Sequence, residues 1–445
     1  MVGPDYERPE VETPEHWHID LNYLDNEGPS LSDTAWVEIF QDEQLQASIK
    51  TALAHNKTLL IAIERIEEAR AINRITRAAL FPSLDLALTP EREHESDLTD
   101  VNALTKNEIF FGPTVAWELD LWGGNRRINN AAYATYLAAE YGAQAVRLSL
   151  IADVSRAYFE LQGIESRLET SFDTLEAREQ ALLIAHKRHK GGLTSKLEVV
   201  QSQVEMASTR AIIPKVEQSK LAVENQLSVL MGMSPRHQSM RHNLRDLFIP
   251  VDVTAGLPSS LLQRRPDIMQ TEQEMIVASE LIGASKARLF PNIRLTGDLG
   301  FKSAAFDDLL DSDGRYWIIE LDVVMPLFNA GARRAELSAA ESRFNQARLS
   351  YEQVVLEALR EVSDALNQFY KSGESLDALL ELERASAEYL NLAEKRYRNG
   401  ILAYLDVLDA QRLLFDAQIS VSKARQNQFF ALVDLYKALG GGWNP

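Results

Sequence analysis

Asp406 and Asp409 stand three positions apart at the start of the last helical segment, so both carboxylates fall on one face of that helix. Such a pair can attract cations or hold an electrostatic barrier at a constriction. It can equally favour the positive end of a helix dipole, with Arg412 pairing to Asp409. A second set of acids alternates with apolar residues: Glu118 and Asp120 in one short segment, Glu320 and Asp322 in another, Asp298 in a third. Alternation gives those carboxylates a shared polar face rather than a pocket. His186 and His189 form an i, i+3 pair and His16 lies near His18, yet neither pair has a third ligand in sight. The chain has no cysteine, which removes disulfides, thiolate metal sites and cysteine nucleophiles together. It also has no Gly-rich phosphate loop, hydrolase elbow or zinc-helix motif. Catalysis, a metal site and a resident cofactor are therefore not expected.

At 445 residues the chain is long for one compact domain, so subdivision or elongation is expected. Its formal net charge of −19 argues against a nucleic-acid partner. No run of about 18 apolar residues encodes a transmembrane helix. The polar opening Met1-Val-Gly-Pro-Asp-Tyr is not a secretory signal, so the sequence reads as cytoplasmic or as starting at a mature N-terminus.

The elements that position these acids are duplicated. The stretch from Glu394 to Gln411 repeats the shape of the stretch from His186 to Gln203. Arg188, Gly192, Leu197, Val199 and Gln203 match Arg396, Gly400, Leu405, Val407 and Gln411, each pair 208 positions apart. In both copies a long helix ends in basic residues and glycine, which suit a helix C-terminus, and a second helix begins. Two long helical hairpins follow from this, with the turns as the working end.

Residues 1–42, with Pro4, Pro9, Pro14 and Pro29, read as an extended strap. Residues 43–231 form a first repeat: a helix from about Asp42 to Leu80, a β-hairpin over 83–122, and a helical hairpin with its tip near 190–195. Within the β-hairpin, Pro90–Gly112 reads as an acidic solvent loop. Gly163 is expected to mark a slight break and Pro214 a kink. Residues 232–257 connect to a second repeat over 258–440. It has a helix from about Pro258 to Leu289, a β-hairpin over 291–327 and a tip near 398–402; 441–445 is a tail. Duplication at this period excludes most ordinary enzyme folds.

Four amphipathic strands cannot close a barrel alone. Leu84, Leu86, Val115, Trp117, Ile319 and Leu321 need burial, while Glu118, Asp120, Asp298, Glu320 and Asp322 need water. A membrane barrel built by several chains satisfies both, with the acids lining its lumen. A soluble sheet packed on helices is the alternative that alternation alone allows.

Five motifs then carry a family resemblance: Val2-Gly-Pro-Asp-Tyr-Glu-Arg-Pro9, Leu262-Gln-Arg-Arg-Pro-Asp-Ile268, Ala287-Arg-Leu-Phe-Pro-Asn-Ile-Arg-Leu-Thr-Gly297, Tyr404-Leu-Asp-Val-Leu-Asp-Ala-Gln-Arg412 and Leu435-Tyr-Lys-Ala-Leu-Gly-Gly-Gly442. In order and over the whole chain, they resemble the outer-membrane factors of bacterial tripartite efflux pumps, of TolC/OprM type and nearest the lipoprotein branch. The resemblance implies a mainly α homotrimer. A twelve-stranded β-barrel, four strands per chain, would continue into a long α-helical periplasmic barrel with a mixed equatorial domain. It implies a passive exit duct in the outer membrane of a Gram-negative bacterium for drugs and other toxic amphiphiles. The partners implied are a periplasmic adaptor and a proton-driven inner-membrane transporter.

The resemblance also assigns places. Asp406 and Asp409, with Leu405 and Arg412, match the periplasmic gate. The first copy has Glu198 and Gln201 at the places of Asp406 and Asp409, so the acidic ring is expected from the second hairpin. Gly191, Gly192, Leu193, Thr194, Arg398, Gly400 and Ile401 match the tips that meet an adaptor. Related chains of the lipoprotein branch carry a lipidated Cys before the Val-Gly-Pro-Asp-Tyr motif, where this chain has Met1, so an N-terminal lipid anchor is an inference. A soluble coiled-coil scaffold and a nonspecific porin are the competing functions; long helices disfavour the porin, and alternating strands disfavour the scaffold.

Overall fold

The computed structural model describes residues 1–14, 16–18, 35–94, 105–238, 244–247 and 258–441. The chain forms two compact units, each gathered from three stretches. One comprises Met1–Val11, Glu64–Tyr141 and Gln270–Gln353; the other comprises Glu12–Ile63, Gly142–Met269 and Val354–Pro445.

The helices are α1 (Trp36–Ile39), α2 (Glu43–His55), α3 (Lys57–Ala78), α4 (Gly124–Lys190), α5 (Lys196–Leu230), α6 (Leu261–Arg264), α7 (Pro266–Ala287), α8 (Ala332–Arg398) and α9 (Tyr404–Ala438). The strands are β1 (Ser83–His94), β2 (Thr105–Glu118), β3 (Asn292–Ser303) and β4 (Arg315–Val324). α4 and α8 are both 67 residues long, and α5 and α9 are both 35. Their first and last residues are offset by the same 208 positions as the sequence match. Among the described residues no helix is long and apolar enough to cross a membrane.

All four strands lie in the first unit as one antiparallel meander in chain order. Leu84, Val115, Gly297 and Ile319 are aligned across it, as are Trp117, Leu295 and Leu321. Side chains alternate along each strand, so these rows occupy one face, and Glu118, Arg294 and Asp322 form a row on the other. The strands are longer than the sequence suggests. β1 runs through Pro90 to His94 and β2 starts at Thr105, so much of the expected loop 90–112 is ladder. Its polar residues hide the strand from a periodicity reading. The β2–β3 pairing skips from Phe111↔Phe301 to Thr114↔Asp298, where Pro113 has no N–H to give.

Several helix boundaries also differ from the sequence expectation. The first helix is two, because Asn56 leaves helical geometry and caps α3: its Oδ1 accepts from Leu59 N at 3.0 Å and its Nδ2 donates to Leu230 O at 2.9 Å. The segment near Pro258 also divides, with Arg265 extended ahead of Pro266, as the residue before a proline prefers. Gly163 is not a break. α4 continues through it, and a Cβ there would run into Gln426 Oε1, so the glycine permits close helix approach. α5 runs through Pro214, where a kink and not a break is expected.

In the described part of the strap, residues 1–14 carry no regular element. They are tied down by side chains: Arg8 grips Glu272 of α7, with Nε at 2.6 Å, and Tyr6 OH donates to the same carboxylate at 3.1 Å. Residues 15, 19–34, 95–104, 239–243, 248–257 and 442–445 lie outside the described residues, and with them much of the strap including Pro29, the middle of the loop expected at 90–112, most of the connector and most of the tail. The second unit has an aromatic centre in which Phe159 stacks on Phe429 at 4.3 Å, with Phe40 and Tyr436 around them.

Candidate functional site

The sheet has one uncovered apolar face. Leu84, Leu86, Leu299, Trp317, Ile319 and Leu321 are all at least 60% exposed and all point to it. Among the described residues no helix packs over them, which disfavours the soluble-sheet alternative, since a monomer in water rarely exposes so large an apolar patch. The opposite face carries Asp85, Glu118, Asp298, Glu320 and Asp322. Arg294 stands in register between Glu118 and Asp322 and offsets part of their charge. Nearer the loops, Lys302 pairs with Glu108 at 2.6 Å and lies 4.6 Å from the Tyr316 ring centre.

Asp120 departs from its expected place among the strand acids. β2 ends at Glu118, and Asp120 turns back to accept from Asn125 N at 3.1 Å and Arg126 N at 2.9 Å. Those are the unsatisfied N–H groups of the first turn of α4, so this carboxylate is a helix cap. Alternation extrapolated past the strand end misplaced it. At the same end of the sheet, Trp122 stacks on Phe290 at 4.7 Å and donates to Pro291 O, while Trp117 donates to Leu80 O.

The two helical turns are the same structure. In the first, Gly192 has φ +73°, and Leu193 N donates back to Arg188 O at 2.9 Å. In the second, Gly400 has φ +73°, and Ile401 N donates to Arg396 O at 3.0 Å. This six-residue closure usually brings the apolar residue after the glycine onto the helix. Here Leu193 is 74% exposed and Ile401 70% exposed. Each tip thus presents an apolar side chain to solvent beside Gly191, Thr194 and Arg398.

Just past the second tip, Tyr404, Val407, Leu408 and Ala410 bury one side of α9 together with Ala393. Leu405, Asp406, Asp409 and Arg412 share the side that is not buried, as 3.6 residues per turn dictates. Asp409 accepts from Arg412 at 2.9 Å. Among the described residues the Asp406 carboxylate has no partner.

Sequence reasoning missed the contacts that join the two hairpins near their tips. Tyr397 OH donates to Glu198 Oε2 at 3.2 Å, and the Arg188 guanidinium lies 4.9 Å from the Tyr397 ring centre. Tyr404 OH meets Ser202 Oγ at 2.8 Å. Burial, reinforced by Glu198, pushes the Tyr397 phenol above its ordinary value, and burial does the same for Tyr404. Glu198 was visible only as the first copy's partial match to Asp406. Nothing in one sequence pairs it with a residue 199 positions away.

An antiparallel sheet with one exposed apolar face and one charged face, in a chain that also folds two long helical hairpins, fits a membrane conduit. The chain matches the outer membrane efflux protein family over residues 48–233 and 257–441, and it belongs to that family. It is 33% identical to the outer membrane protein OprJ of Pseudomonas aeruginosa, covering all of this chain and 93% of that one. It is 32% identical to a probable efflux pump outer membrane protein, TtgC, of Pseudomonas putida, covering 99% and 92%. Among solved structures it superposes on the outer-membrane channel OprN with a TM-score of 0.93 at 28% identity, over the full length of both chains. The fold is TolC-like, and the protein is an outer-membrane efflux duct whose helical part lies in the periplasm.

Proposed function

We propose that three copies of this chain close their sheets into one twelve-stranded barrel and conduct drugs and other toxic amphiphiles outward through a gated periplasmic tunnel. One observation carries the association of several chains, and the number three follows the family resemblance. β1 and β4 are the edges of the four-stranded sheet, and no described strand pairs with either outer edge. Unpaired N–H and C=O groups are not tolerated in lipid, so each edge needs the next chain.

The uncommitted side of α9 supports the gate. Three copies would bring six carboxylates, from Asp406 and Asp409, into one ring with Leu405 and Arg412 beside them. That ring favours cations and resists opening until assembly pulls the hairpins apart. The Tyr397–Glu198 and Tyr404–Ser202 contacts hold each chain's two hairpins together in the closed state. Leu193 and Ile401, displayed by matching caps, are the docking points for a periplasmic adaptor, which links the duct to a proton-driven inner-membrane transporter. In the unit that holds the sheet, Val2 N donates to Trp122 O at 3.0 Å and residue 1 lies against Gly123. A lipid on a cysteine at that position, where this chain has Met1, would enter the membrane beside Trp122.

The test is single-channel conductance of detergent-purified protein in a planar bilayer, with and without millimolar divalent cation. Small cation-selective openings suppressed by the divalent ion support a tunnel closed by an acidic ring. Absence of channels from a protein that stays soluble without detergent overturns the barrel.

A further inference from the structure

The chain is strongly acidic, with 65 Asp and Glu against 46 Lys and Arg, yet one zone reverses that balance. Where helices meet strands, residues 71–82, 119–127, 286–291 and 325–335 hold Arg74, Arg77, Arg126, Arg127, Lys286, Arg288, Arg333 and Arg334 against a single acid, Asp120. Four of these bases are committed elsewhere. Arg127 is buried against Glu280 and Asp5, Arg126 pairs with Asp120, Arg288 faces Glu336 at 3.7 Å, and Arg333 donates to Arg288 O. The other four, Arg74, Arg77, Lys286 and Arg334, are exposed and have no ion-pair partner among the described residues.

Apolar side chains stand exposed beside them. Ile75 is 69% exposed and Phe81 62%, next to Arg74 and Arg77; Leu327 and Phe328, in the irregular stretch seven and six residues before Arg334, are 89% and 90% exposed. Unpaired cations adjoining apolar side chains at the edge of a lipid-facing sheet match an anionic amphiphile, with acyl chains against the apolar groups and phosphate against the bases. The zone lies at the helix-side, hence periplasmic, end of the strands, where the inner leaflet of the outer membrane meets water. We propose that Arg74, Arg77, Lys286 and Arg334 form a belt that selects anionic phospholipid from that leaflet and seats the barrel at its depth. The proposal rests on the outer-membrane placement and is independent of the gate and tip assignments.

The experiment uses the full chain, assembled in micelles doped with either phosphatidylglycerol or phosphatidylcholine, with retained lipid counted by native mass spectrometry. Phosphatidylglycerol is expected to be retained at a concentration on the order of tenfold lower than phosphatidylcholine, and about 0.5 M salt should remove the preference. The combined Arg74→Gln, Arg77→Gln, Lys286→Gln and Arg334→Gln variant should lose it. The fourfold Arg/Lys exchange at those positions (Lys for Arg, Arg for Lys286), and a control with Lys50, Lys57, Lys215 and Lys423 changed to Gln, should keep it. Equal retention of the two lipids by the unmodified protein overturns the proposal without any variant. So does loss of the preference in the control, or disassembly of the glutamine variant in both lipids, which would assign these bases to contacts between chains. A conductance that stays normal while the lipid preference is absent would sink the belt and leave the duct intact.

Discussion

Tyr397, one residue from the end of α8, donates its hydroxyl to Glu198 in the first turn of α5, 3.2 Å away. The bond ties the second hairpin to the first three residues short of Gly400. Replacing Tyr397 by Phe deletes a charge-assisted bond at a partly exposed site, worth about 1 kcal/mol. The expected result is a higher closed-state conductance in planar bilayers with the melting temperature nearly unchanged. An unaltered closed conductance would remove this contact from the gate.

The same bond has a pH signature. Tyr397 donates only while protonated, and its folded value is raised above the ordinary tyrosine value of about 10. The stabilisation is complete below about pH 10 and is lost as pH rises through the raised folded value. Closed conductance should stay flat from neutral pH to about pH 10 and climb above it; a rise already at about pH 8 would point to another group.

Asp406→Ala with Asp409→Ala should raise leakiness and weaken block by divalent cations. The double change removes six carboxylates from a trimer and leaves Arg412 without its 2.9 Å partner. If divalent block survives undiminished, the acidic ring is not the barrier.

Leu193→Asp and Ile401→Asp should abolish capture of a periplasmic adaptor while leaving stability within about 0.5 kcal/mol, because neither side chain is packed. Adaptor binding at full strength by the doubly substituted protein would move the docking surface away from the tips.

The turn glycines separate backbone strain from packing. Gly400 and Gly232 both have positive φ, +73° and +70°. A Cβ on Gly400 would meet nothing within 4 Å, whereas one on Gly232 would strike the His55 carbonyl. Gly400→Ala should cost about 1 kcal/mol, from the left-handed backbone alone. Gly232→Ala should cost more, by on the order of 1–3 kcal/mol of overpacking. Thermal unfolding of the two variants compares them directly, and equal losses would refute the packing difference.

On the sheet, Ile319→Arg places a charge on the apolar face and should cost about 2–4 kcal/mol of membrane stability. Glu320→Gln, one position along, should leave folding unchanged and reduce cation preference. Equal tolerance of the two in a folding assay from lipid would mean the faces are wrongly assigned.

What was legible in the sequence was whatever repeats or alternates locally. Leu84 to Leu88 and Trp317 to Val323 announce strands because side chains swap faces at every residue, and Gly192 and Gly400 announce turns because only glycine sits easily at positive φ. The 208-residue offset announces two hairpins, and the fold carries it through the first and last residues of both helix pairs. Pairing over long distances was not legible. Asp120 continues the alternation of β2 in sequence, yet it caps α4 because the chain turns there and leaves backbone N–H groups in need of an acceptor. Pro90 to His94 look like loop because a ladder is held by backbone bonds that no side chain advertises. The tertiary structure alone decided that Glu198 meets Tyr397, that Ser202 meets Tyr404, and that Gly163 makes room for Gln426. Such contacts depend on where separate helices are packed, and a one-dimensional pattern does not hold that information.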